Sequence, residues 1–289
     1  MLPWIEIAVR WLNLIAITSV VGGFIVSLAC LRGQFLQSLG FGWAIFWSRV
    51  AIVVSLGLLA QHIQPIAALA EPPQTTLWLL ANVLTQTRWG QAWLLQVIGL
   101  SVFIICAKSL AQMPRPPRAG ITTGLGVCSV VVMCVAQSLT SHAAQSAVGL
   151  VVQSAHTLAA SVWMGGLAVM ALTSAMVFRR SNSYHQQTLK QLWQSFSWLA
   201  LVSMVVLIAS GLFTLSQQAA TLDALLMSGY GKALLAKIVV IAFVMLLAAT
   251  NWLALRRSST DLLRLLERAR IEVLLGVVIL AVTALLTAT

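Results

Sequence analysis

The residues best able to do chemistry in this chain are histidines around a short polar break. Ser141-His142-Ala143-Ala144-Gln145 separates two long apolar runs, and His156 follows within the second. Their setting is 60% hydrophobic and only 8% charged, with a mean hydropathy of +0.96. Ionisable groups retained at membrane depth are costly and mark functional positions. Neutral imidazole is a common ligand for copper, zinc, iron and nickel, so the pattern reads first as a metal site. Counting back about 20 residues from Arg179 places His156 near the outer boundary of its span. His62 stands 13 residues beyond Arg49, roughly two-thirds of the way across a membrane at about 1.5 Å per residue. His185 falls in a cytoplasmic loop and reads as solvated. The three outer histidines also have a packing reading, in which each hydrogen-bonds a neighbouring helix. That alternative is strongest for His62, because Pro65 beside it suggests a kink.

Soft side chains refine the choice of metal. His156, Trp163 and Met170 follow at i, i+7 and i+14, close to one stripe of a helix. Ala159, Ala160 and Gly166 flank the stripe and allow another helix to come close. Met164 lies about 80° around the helix from His156 at roughly 100° per residue. Below His142, the preceding span offers Met133, Cys134 and Gln137. Thioether and thiol ligands favour Cu(I) over zinc or iron. Methionine in an apolar helix also serves simply as a gap-filler, so these residues count as companions to the histidines.

The elements that position them are membrane helices. A hydrocarbon core about 30 Å thick needs roughly 20 apolar residues of helix. Eight such stretches are expected, at 8–31, 48–68, 89–108, 120–140, 147–178, 197–217, 232–255 and 270–288. The alternation of a β-barrel is absent, so helices must satisfy the backbone in lipid. The expected fold is an all-α, polytopic membrane bundle, residues 1–289 forming one integral membrane domain. The Pro-rich link Met113–Arg118 divides it into possible halves, 1–113 and 114–289. The first span lacks a basic leader and a small-residue cleavage site, and reads as a retained helix. Two amphipathic segments are expected at the surfaces: Glu71–Thr87 on the outer side and Thr260–Arg270 on the inner. Tryptophans near span ends form an aromatic belt.

A net charge of +11 suggests nucleic acid until its distribution is considered. In the eight-span arrangement 13 of the 17 Lys and Arg residues fall on one side. The positive-inside rule makes that side cytoplasmic and puts both termini in the periplasm. The basicity is thus a topology signal and an attraction to anionic membrane lipids, not a nucleic-acid surface. No Gly-x-x-x-x-Gly-Lys-Ser/Thr motif is present to bind a nucleotide. The four cysteines contain no Cys-x-x-Cys pair. Arg10 and Lys237 count to the outer boundary and Glu272 to the inner one, near Arg268. By that count no carboxylate remains at mid-membrane, which argues against a pump driven by a buried acidic relay.

The motif residues resemble a known family. Ser141-His142-Ala143-Ala144, with His156-Thr157-Leu158-Ala159-Ala160-Ser161-Val162-Trp163-Met164-Gly165-Gly166-Leu167, is similar to the signature of the bacterial copper resistance protein D family (CopD/PcoD and YebZ-like relatives). Tyr230-Gly231-Lys232-Ala233-Leu234-Leu235-Ala236-Lys237 resembles the family's entry to span seven, and Asn251 and Glu272 stand where its pattern has them. The likeness covers about 140–275. Earlier, Arg10-Trp11-Leu12-Asn13 with Gly22-Gly23 resembles a pattern that often carries His at the position of Asn13. The resemblance implies an eight-helix protein of the bacterial inner membrane that moves copper, with a periplasmic CopC-like partner. His142 and His156 match the motif histidines.

The leading expectation is therefore a non-enzymatic copper transporter. His142 and His156 capture the copper ion at the outer mouth, with His62 as a possible third ligand. Met133, Cys134, Met164 and Met170 are candidates for passing it inward through several exchangeable sites. A haem-binding redox protein, with His62 and His156 as axial ligands, is one alternative. A membrane scaffold that docks a periplasmic copper chaperone is the other.

Overall fold

A computed structural model describes residues 3–31, 33–69, 76–112, 119–141, 145–178, 183–218, 229–256 and 262–286. These form α1 (Pro3–Ala29), α2 (Gln34–Leu69), α3 (Thr76–Gln86), α4 (Arg88–Gln112), α5 (Ala119–Leu139), α6 (Ala147–Phe178), α7 (Ser183–Gln218), α8 (Gly229–Arg256) and α9 (Leu262–Leu286). The described residues contain no strand, and the protein is a helical membrane bundle.

Among the described residues seven helices are long and apolar enough to cross a membrane: α1, α2, α4, α5, α6, α7 and α9. The expected crossing at 232–255 falls on α8, 28 residues long, whose described apolar stretch is Ile238–Leu253. Several helices are longer than their hydrophobic runs. α2 begins at Gln34, well before the expected residue 48, because Leu36, Phe41 and Ala44 are buried in the core and no proline interrupts them. The inner amphipathic segment expected at Thr260–Arg270 is corrected over 262–270: these residues are the first turns of α9, with Leu265, Leu266 and Ala269 buried. The amphipathic segment expected at Glu71–Thr87 contains α3, in which Leu79 and Val83 are buried while Leu77 and Trp78 stay exposed; residues 71–75 lie outside the described residues. Val53, Ile105, Val151, Val239 and Leu246 are strongly exposed on other helices, as expected for side chains facing lipid tails.

α1 is the central helix. It packs against α2 and α6 along much of its length, and also against α9. α4 packs on α2 and α5, α7 on α6, and α8 on α9. The α1–α6 crossing is a backbone contact. A Cβ added to Gly22 would lie 2.2 Å from the Ser161 carbonyl oxygen, and one added to Gly165 would lie 1.9 Å from that of Thr18. Lipid tails are as apolar as leucine, so helices in a bilayer associate through such close packing of small residues.

A polar cluster ties the other side of α1 to three helices. The Gln96 side-chain amide donates to Asn13 Oδ1 at 3.1 Å and to Ser55 Oγ at 3.0 Å. Asn13 Nδ2 donates to Gln137 Oε1 at 3.3 Å. Trp93 Nε1 donates to the Ser55 carbonyl at 2.7 Å. α1, α2, α4 and α5 are thus joined by side chains that have few other partners inside an apolar bundle.

Two predictions follow the two kinds of contact. Gly165→Ala should lower unfolding stability by about 1–3 kcal/mol, because backbone atoms must move apart. Gly124→Ala, with open space around it, should be neutral or slightly stabilising. Thermal unfolding of purified protein reads both. Gln96→Leu should cost about 1 kcal/mol by stranding two acceptors, and more than Gln137→Leu, which removes one long bond.

Candidate metal centre

His156 lies on α6, nine residues from its first residue, Ala147. Its Nδ1 is 2.8 Å from Ser210 Oγ of α7. The Ser210 hydroxyl itself donates to the Val206 carbonyl at 2.6 Å. A hydroxyl has one proton to give, so the serine oxygen accepts from Nδ1–H. The bond fixes the orientation of the His156 ring through one of its two nitrogens. Ser210 carried no weight in the sequence beyond being a small polar residue before Gly211; only packing of α7 on α6 brings it to His156.

His142 lies outside the described residues. His62 sits near the outer end of α2 and stacks on Trp89 of α4, with ring centroids 4.0 Å apart and planes 14° from parallel. It also lies within electrostatic reach of the Arg10–Glu6 ion pair on α1, which is 2.6 Å long. His62 and His156 therefore engage different helices.

The soft side chains are dispersed. Met133 and Cys134 are enclosed with Phe24, Leu100 and Phe103 in one apolar cluster. Met170 is fully buried in another, with Trp193 and Phe196. Met164 packs against a third, formed by Trp163, Met204, Val244 and Ile279. Among the described residues no group of three or more His, Cys, Asp or Glu side chains is placed to hold a metal ion.

Glu272 is buried on α9, only 4% exposed, and it lines a cavity between α1, α6 and α9 with Thr18, Ser19, Trp163 and Met164. Packing of α9 on α1 and α6 decides which residues face its side chain. Asn251 Nδ2 of α8 donates to Glu272 Oε1 at 2.5 Å.

Residues 1–150 match the family described as copper resistance protein D-like, N-terminal domain, and residues 190–286 match copper resistance protein D. The chain is 27% identical over 218 residues to the copper transport protein CutJ of Bacillus subtilis (strain 168). That alignment covers 72% of this chain and 38% of the relative, so the chain spans less than half of the curated protein it matches. No solved structure matches the chain significantly. A helical membrane bundle and family matches over both parts of the chain lead to one assignment: this protein belongs to the copper resistance protein D family.

Proposed function

We propose that this chain carries copper across the bacterial inner membrane, with both termini in the periplasm. His142 and His156 receive the ion at the outer mouth. The observation that supports this reading is the His156–Ser210 hydrogen bond, which orients the ring of the motif histidine. The printed function of the relative, copper transport, points the same way. Neutral imidazole binds copper well, and a site of two or three ligands keeps the ion exchangeable, as passage through a membrane requires.

His62 has weaker support as a ligand, because its ring is engaged by Trp89. Of the four soft side chains, Met164 has the best support, since it lines a cavity. The enclosure of Met133, Cys134 and Met170 by apolar neighbours favours packing roles for them. A haem sandwiched by His62 and His156 is disfavoured by their engagement with different helices. A periplasmic CopC-like protein is the natural donor in this reading, docking on the short outer loops near His142.

Copper content of detergent-purified protein, measured by elemental analysis with a visible spectrum, tests the reading. Wild type should retain copper and show no Soret band, and His156→Ala should lose the outer ion. Ser210→Ala should weaken copper affinity by about 10- to 100-fold without unfolding the protein, as expected when an outer-shell partner of a ligating histidine is removed. Full copper retention in His156→Ala removes the histidine site, and a haem spectrum removes the copper assignment.

A further inference from the structure

The contact between α8 and α9 holds a group that copper capture at the outer histidines does not use. Glu272 is 4% exposed, and its hydrogen-bonding partner among the described residues is Asn251, whose Nδ2 donates to Oε1. Asn251 is itself 7% exposed, and its Oδ1 is buried without a hydrogen-bond partner. An unmatched acceptor is costly inside an apolar bundle. What this oxygen lacks is a donor. An ionised carboxylate beside it only accepts, whereas a protonated carboxyl has one O–H to give.

Carboxylic acid and carboxamide are complementary in shape. With a proton on Glu272 Oε2, the acid O–H donates to Asn251 Oδ1 while the amide N–H donates to Oε1. Two hydrogen bonds then close a ring between the side chains, and both groups are neutral and matched. Without the proton one bond remains, Oδ1 stays unmatched, and a charge is buried, which is strongly disfavoured.

Among the described residues no countercharge offers an alternative. Arg268, one turn back on α9, makes no ion pair with Glu272. Arg264, Glu267 and Arg270 on the same helix are exposed. The charges of α1, Glu6 and Arg10, pair with each other. The titratable side chain of α6 is His156, which is bonded to Ser210. On α8, Lys232 and Lys237 stand near the start of the helix and Arg256 at its end.

We propose that Glu272 is a proton-binding site, holding one proton at neutral pH in a two-point carboxylic acid–amide pair with Asn251. The site goes beyond copper capture at His156 and does not depend on it. The contact between α8 and α9 is what holds the proton. Separation of the two helices removes the acceptor of the Oε2–H group. That O–H bond then breaks, the proton passes to water, and the carboxylate stays on Glu272. Glu272 also lines the cavity with Thr18 and Ser19, on a side that Asn251 does not line. Its volume of about 40 Å³ is enough to admit a water that exchanges the proton.

Infrared spectroscopy of the purified full-length chain at neutral pH, taken without copper, tests this through the C=O stretch of a protonated carboxyl. The chain has six Asp and Glu residues, and Glu272 is the buried one among the described residues, so the band can be assigned. Wild type should show the band, shifted downward by exchange into heavy water. Glu272→Gln should lose it with far-ultraviolet circular dichroism unchanged, because the glutamine amide makes the same two bonds to Asn251. Asn251→Leu should move the band to higher frequency or abolish it, since the carboxyl loses both bonds. A wild-type spectrum without the band, or a band that Glu272→Gln leaves unchanged, overturns the proposal. A band that Asn251→Leu leaves unmoved overturns the pairing. Neither result bears on copper capture, which is read separately from the copper content of His156→Ala.

Discussion

The bundle depends on how closely α1 and α6 approach. At Gly22 and Gly165 the two helices touch backbone to backbone, and neither position has room for a Cβ. In lipid no hydrophobic effect drives one helix onto another, so the dispersion gained at such a contact decides where the helices cross. Everything else is arranged around that crossing. α9 lies on α1 and α6 together, and the three helices line the cavity that holds Glu272 and Met164. Gly166 has a related role on the next face, admitting Val26 and Phe196.

Polar groups then specify what close packing alone leaves open. Apolar helices in an apolar solvent could rotate or slide at little cost, but buried amides and carboxylates must find partners. Gln96 does this between α1 and α2, and Asn251 between α8 and α9. The His156–Ser210 bond does it between α6 and α7. His156 and Glu272 therefore also take part in contacts that hold the helices in register.

The membrane character, the helical class and the family were legible in the residues. Eight apolar runs, a one-sided distribution of Lys and Arg, and the His142 to Leu167 motif need no tertiary structure to be recognised. The reach of individual helices was less legible. Hydropathy marks the part of a helix that suits lipid and is silent about amphipathic turns stabilised by neighbours. Leu36 and Phe41 extend α2, and Leu265 and Leu266 extend α9, because α1 and the core cover them.

The sequence by itself determined that this chain is a helical membrane protein and which residues carry its family motif. The first conclusion rests on transfer free energies, which belong to residue types and accumulate along a run. The tertiary structure alone decided the partners. Ser210 stands 54 residues from His156, and Asn251 stands 21 residues from Glu272. Depth counting treats each helix as an isolated rod. It read Glu272 from the start of its apolar run, and the burial of its side chain follows from the faces of α1 and α6 that meet α9. Which face a residue shares with which neighbour is a property of crossing helices, and no single helix carries it in its own sequence.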